Sequence, residues 1–151
     1  MKLTPFALLS FGALFAAGIL AAATAQEKKG ADKKEALYLS SEQAKFKEIV
    51  PGASRAVISG DPDKGAYRAF TKFAPGTVHP LHVHSNDVVT LVLKGAYIYK
   101  PEHGDEIRVG PGSYLFIPGG ERHTSSCDPK DGVLMFEESP GKFDMTLVDK
   151  K

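Results

Sequence analysis

The chain has 151 residues and a mass of 16.2 kDa, with 42% apolar and 25% charged residues; these ordinary globular values exclude a collagen-like, coiled-coil or wholly disordered chain. Nineteen basic against 18 acidic residues leave a formal charge of +1, too small for a protein that works by gripping nucleic acid. A single cysteine, Cys127, excludes an internal disulfide framework and any cysteine-clustered zinc or iron–sulfur site.

Residues 1–25 carry Lys2, a long apolar stretch from Phe6, and the small residues Ala23-Thr24-Ala25 at their end. This is the pattern of a secretory signal peptide, whose cleavage would leave Gln26 as the first residue. An uncleaved N-terminal anchor is the rival reading, because Phe6 to Ala23 is nearly long enough to span a bilayer. The alanine and glycine content and the small-x-small site favour cleavage. No cysteine follows the apolar stretch, so a lipid anchor there is excluded. With Lys2 removed the charges balance at 18 against 18. The expected destination is a bacterial periplasm or the outside of the cell, with no stable membrane span after cleavage.

Gln26 to Glu35 (QEKKGADKKE) is charged and poor in apolar residues, and reads as a flexible leader. Ser40 and Gln43 have capping-box spacing, which predicts a short helix running to Val50 and stopped by Pro51-Gly52. The leader and this helix together span residues 26–52. From residue 53 to residue 151 the pattern becomes one of short strands separated by turn residues. Strands are predicted near Arg55–Ser59, Tyr67–Phe73, Val88–Leu93, Ala96–Lys100, Glu106–Val109, Tyr114–Ile117, Arg122–Ser126, Val133–Glu138 and Asp144–Val148. So many strands in about a hundred residues give an all-β sandwich or barrel. Phe70, Phe73, Leu91, Leu93, Leu115, Ile117, Leu134 and Phe136 are its expected core.

Four of the five histidines fall in two stretches, His79, His82 and His84 in GTVHPLHVHSND and His123 in PGGERHTSSC. Strand side chains alternate faces, so His82 and His84 project together at a spacing suited to one cation. His123, from another strand, could complete a facial set with open positions for water, substrate or oxygen. The opposing reading makes these histidines polar fillers of a barrel mouth.

The glycine and proline framework favours the first reading. Gly76, His82, His84 and Gly95 have the spacing of the first motif of the cupin superfamily, and Gly112, Pro118, Gly120 and His123 that of the second. Only 16 residues separate Gly95 from Gly112, similar to the short inter-motif spacing of small bacterial cupins. From Ala53 to Val148 the chain thus resembles a single-domain, ChrR-like cupin of uncharacterised function. The resemblance implies a double-stranded β-helix, or jelly-roll barrel, and homodimerisation through edge strands, which also protects sheet edges. It implies a divalent transition metal on His82, His84 and His123: iron, zinc, manganese, nickel or copper. Two positions depart from the pattern. Val88 stands where a glutamate ligand is usual, and the adjacent Asp87 lies on the opposite strand face, needing a bulge to turn inward. Cys127 stands where asparagine is usual.

Other candidates carry two readings each. Alternation puts His79 on the far face, as a rim or surface histidine, unless Pro80 distorts the strand and makes it a fourth ligand or supporting group. Cys127 reads as a pocket thiol or as a small buried apolar residue. Tyr97 and Tyr99 share a face and could place hydroxyls in the barrel, or pack with exposed tips. His103 reads as a solvated turn residue. Met135, Phe136 and Glu137 lie on a late strand whose inward parity the sequence leaves open. Two function classes follow. One is an exported metalloenzyme, dioxygenase- or isomerase-like, acting on a small oxygen-bearing molecule. The other is a non-catalytic cupin that binds or senses a small ligand. A cavity with convergent polar groups beside the metal would favour the first.

Overall fold

The computed structural model of the protein describes residues 35–149. The expected signal peptide, and all of the expected leader but Glu35, lie outside the described residues. Among those described, no helix is long and apolar enough to cross a membrane.

The described chain is built from strands β1 (Lys47–Val50), β2 (Ala53–Gly60), β3 (Tyr67–Phe73), β4 (Val78–Val83), β5 (Val88–Gly95), β6 (Tyr97–Pro101), β7 (Ile107–Val109), β8 (Tyr114–Ile117), β9 (His123–Cys127), β10 (Val133–Ser139) and β11 (Thr146–Leu147). They form a six-stranded sheet, in the order β1-β2-β3-β10-β5-β8, and a five-stranded sheet, in the order β11-β4-β9-β6-β7. Every pairing is antiparallel. The all-β expectation therefore holds, as two sheets enclosing one interior. The expected strands recur within a few residues of their places; β1 and β4 were not among them.

The predicted helix over Ser40–Val50 does not form. Its first residues make a single turn, in which Ser40 Oγ accepts from the Glu42 N–H at 3.1 Å and the Ser40 carbonyl from the Gln43 N–H at 3.1 Å. Lys47–Val50 becomes β1 and pairs with β2, Lys47 opposite Arg55 and Val50 opposite Ala53. A helix of about ten residues has little stability of its own, whereas this segment gains a ladder along β2. Pro51-Gly52, read as a helix stop, is the hairpin turn: proline presets the first corner and Gly52 takes the second at φ +80°.

The expected core is corrected on the six-stranded sheet. In β5 the inward residues are Val88, Thr90 and Val92, and in β10 they are Val133, Met135 and Glu137, all buried. Phe70, Leu91, Leu93, Leu134 and Phe136 lie on the other parity and are partly or well exposed. Ile117, Leu115 and Phe73 do face the interior, packing with Val88, Val92, Tyr97, Val109, Cys127, Val133 and Met135. Both faces of these strands carry apolar residues, so alternation alone could not choose between them.

Candidate metal centre

The histidines come from one end of the five-stranded sheet. His82 on β4 and His123 on β9 are direct cross-strand partners, with ring centroids 4.2 Å apart. His84, just past β4, lies 5.0 Å from the His82 ring and 5.4 Å from that of His123. One ligating nitrogen from each can be drawn from a group whose members all lie within 4.8 Å of one another, the one such cluster among the described residues.

Each ring is oriented by a backbone carbonyl. His82 Nδ1–H donates to the Pro80 carbonyl at 2.7 Å and His123 Nδ1–H to the Glu121 carbonyl at 2.9 Å, each two residues back along the chain. His84 Nδ1–H donates to the Asp144 carbonyl, from the segment leading into β11. These bonds place the proton on Nδ1 and leave the Nε2 lone pairs for a cation. Nε2 of His123 is buried with no hydrogen-bond partner among the described residues. Such an orphaned acceptor is costly unless something fills it. Burial also favours the neutral form of two of them: it lowers the His82 pKa to about 4, and lowers that of His123 as well. A neutral imidazole is the form that binds metal, so the residues fit a divalent ion held by three nitrogens.

No carboxylate joins the three. Val88 is buried and lines the cavity, while Asp87 Oδ1 accepts from the Gly119 N–H at 2.8 Å and faces the turn after β8. His79 is not on the surface. β4 is irregular between His79 and His82, the distortion that Pro80 allows, and this brings both residues inward. His79 is buried, its Nδ1 is 3.2 Å from Ser125 Oγ, and its ring meets Phe73 edge-on at 4.6 Å. Burial lowers its pKa too. Tyr97 is buried and lines the cavity, where burial raises its pKa. Tyr99 is buried with its ring 5.2 Å from His123; its hydroxyl donates to Glu121 at 3.2 Å and its pKa is pushed up to about 12 by burial and by that carboxylate. Cys127 packs in the core with its thiol on the Ala74 carbonyl at 3.1 Å, away from the cavity. His103 is exposed.

Beside the histidines lies a cavity of about 50 Å³, space for roughly four water molecules. Its other wall is the inner face of the six-stranded sheet, and there the structure places polar residues of which the sequence reading named only Glu137, with its parity left open. Arg55 and Glu137 form a buried ion pair at 2.8 Å, Arg55 Nε–H donates to Thr71 at 3.3 Å, and the buried Tyr67 hydroxyl donates to Glu137. Phe143 and Met145, ahead of β11, close the lining. The available signal was Glu137 in VLMFEES, which shares strand parity with Met135.

The fold and the site together define a small cupin. The chain matches the ChrR Cupin-like domain over residues 34–140 and belongs to that family. It is 33% identical to an L-ectoine synthase of Mycobacteroides abscessus over 88 residues, 58% of this chain and 68% of that protein. Among solved structures it is similar to KdgF from a Halomonas species, with a TM-score of 0.56, 23% identity, and 69% of this chain and 94% of that one covered. It is also similar to the polyketide cyclase RemF of Streptomyces resistomycificus, with a TM-score of 0.64, 21% identity, and coverage of 78% and 88%.

Proposed function

We propose that this chain is an exported metalloenzyme, holding one divalent transition metal through Nε2 of His82, His84 and His123 and acting on a small oxygen-bearing molecule. The observation that carries the reading is the buried, unpartnered Nε2 of His123 beside two further imidazoles whose Nδ1 protons are committed to carbonyls. When bound, such an ion supplies a Lewis acid that polarises an oxygen of the substrate, or a site for oxygen chemistry if the ion is iron. The protein's own groups do the rest. The backbone carbonyls orient the rings, Val88, Ile117 and Phe73 exclude water, and Arg55, held by Thr71 and Glu137, offers a polar contact across the cavity. That convergent polar set favours an enzyme over a binding module. The L-ectoine synthase and the polyketide cyclase, by name enzymes on small molecules, support the class without fixing the reaction. Residues 1–25 support export, and the exposed aromatics of edge strand β8 support a homodimer.

A second reading, a non-catalytic cupin that binds or senses a small ligand, draws on the apolar Val88 at the place of a fourth ligand. The first experiment is the metal content, by elemental mass spectrometry, of protein purified without an affinity tag or added metal. Near one equivalent of a transition metal per chain is expected. A chain that arrives empty and takes up none of iron, zinc, manganese, nickel or copper would overturn the metal reading.

A further inference from the structure

A buried guanidinium–carboxylate pair in a barrel interior is an expensive feature, because two charges leave water and are repaid only through close partners. Arg55 and Glu137 lie on β2 and β10 of the six-stranded sheet, facing inward, and each is only 5% exposed. The guanidinium is tightly placed. Its Nε–H is on Thr71 and its Nη2 on Glu137. The Phe143 ring lies 4.0 Å from Cζ and the Tyr67 ring 5.0 Å. Nη1 takes no protein acceptor among the described residues, so the fork keeps donors to offer. Glu137 is held in turn by the Tyr67 hydroxyl and by Arg55 through the same oxygen, Oε1.

Arg55, Thr71 and Glu137 of one sheet share a cavity with His79 and His82 of the other and with His84 just past β4. The Phe143 ring borders both, its centroid 5.6 Å from the His84 ring and 4.0 Å from Arg55 Cζ. The charges favour an anion: Glu137 offsets Arg55, and three neutral imidazoles leave a divalent ion its full charge. A planar fork suits a carboxylate, which it can meet through two parallel bonds, and the small cavity excludes bulky groups.

We propose that Arg55 is a second anchor of this cavity, taking the carboxylate of a small 2-hydroxy or 2-oxo acid whose other oxygen faces the metal held by His82, His84 and His123. The proposal rests on the metal reading above and adds the chemical class of the ligand. Glu137, Tyr67 and Thr71 position the guanidinium and do not themselves meet the ligand.

The test is calorimetric binding to zinc-loaded full-length protein of glycolate, lactate and pyruvate, each compared with its neutral amide. The wild type should bind at least one acid about tenfold more tightly than its amide, the size expected of a charged hydrogen bond. Replacing the pair together, Arg55→Met with Glu137→Met, avoids stranding one buried charge. It should bring the acid down to the level of the amide while metal content stays at one equivalent. Glu137→Gln acts with the opposite sign: it removes the compensating charge, keeps a hydrogen-bond acceptor for Arg55, and should tighten acid binding several-fold. Acids bound no better than amides by metal-loaded wild type would overturn the proposal. So would a metal-loaded double variant with undiminished acid affinity, or a folded Glu137→Gln protein with unchanged or weaker affinity. Failure of the metal reading is separately visible as absence of zinc before any acid is added, and it would take the proposal with it.

Discussion

Nε2 of His123 is a buried acceptor with no hydrogen-bond donor among the described residues. Its Nδ1 is committed to Glu121, His82 across the ladder is committed to Pro80, and His84 to Asp144. Each imidazole therefore contributes one lone pair and no spare proton. It follows that His82→Ala or His123→Ala should reduce bound metal from one equivalent to near zero, while His103→Ala, at an exposed turn, leaves it unchanged. Elemental analysis of the three purified variants decides this, and equal loss in all three would sink the assignment. A separate residue-scale prediction concerns acid stability. Asp128 is held at a pKa of about 2, first by Arg108 and then by the backbone N–H groups of Asp131 and Lys130. Its ordinary value is 3.8, so between those values the unfolded chain binds a proton that the folded chain refuses. The stabilisation is complete above about pH 4 and is lost as pH falls through 2. Asp128→Asn should therefore unfold at a lower temperature than wild type at pH 6, with the difference shrinking by pH 2. A constant difference across that range would show that the carboxylate's charge plays no part.

At the scale of elements, the hairpins rest on glycines whose roles differ in kind. Gly95 ends β5 at φ +71°, and a Cβ there would stand 2.1 Å from the Gly132 carbonyl oxygen; Gly112 has φ +79° but open space around it. Gly112→Ala should cost about 1 kcal/mol, from backbone strain alone. Gly95→Ala should cost about 3 kcal/mol, since strain is joined by displacement of the neighbouring turn. Denaturant titration of the two variants should give that order, and equal losses would mean the turn yields freely. These glycines were legible in the sequence because their spacing, together with His82, His84, Pro118 and His123, is local and regular. Strand parity was not, because Leu91 and Phe136 look as fit for a core as Val92 and Met135, and only the facing sheet selects between them. The same gap hid Arg55 and Glu137, which lie far apart in sequence and meet only because β2 and β10 both flank β3. His79 was misplaced for a different reason: period-two alternation puts it outward, and the irregularity around Pro80 undoes that count. The lost helix at Ser40–Val50 follows the same rule, a good local cap overridden by pairing with β2.

For the whole molecule, the outer face of the six-stranded sheet raises the question that the inner face answered. Tyr114, Leu91, Phe136 and Phe70 sit in one cross-strand row from β8 to β3 by direct register. Tyr114 is 64% and Phe116 48% exposed on β8, the edge strand of that sheet. An edge unpaired among the described residues and flanked by exposed aromatics invites association, and a second copy of the chain can cover both the edge and the row with the same surface in each subunit. A formal net charge of only +1 raises no electrostatic barrier to it. The protein should therefore sediment as a dimer at micromolar concentration. Replacing Tyr114 and Phe116 together by glutamate should give a monomer, because two buried carboxylates per subunit at such an interface cost more than a face of ordinary size, about 800 Å² per partner, can offset. The zinc content of that monomer should remain at one equivalent, since His82, His84 and His123 all belong to a single chain and none lies on the row. A wild-type monomer, or a variant that stays dimeric, would place the interface elsewhere. Loss of metal together with the dimer would tie the histidine cluster to assembly, contrary to the single-chain origin of its ligands.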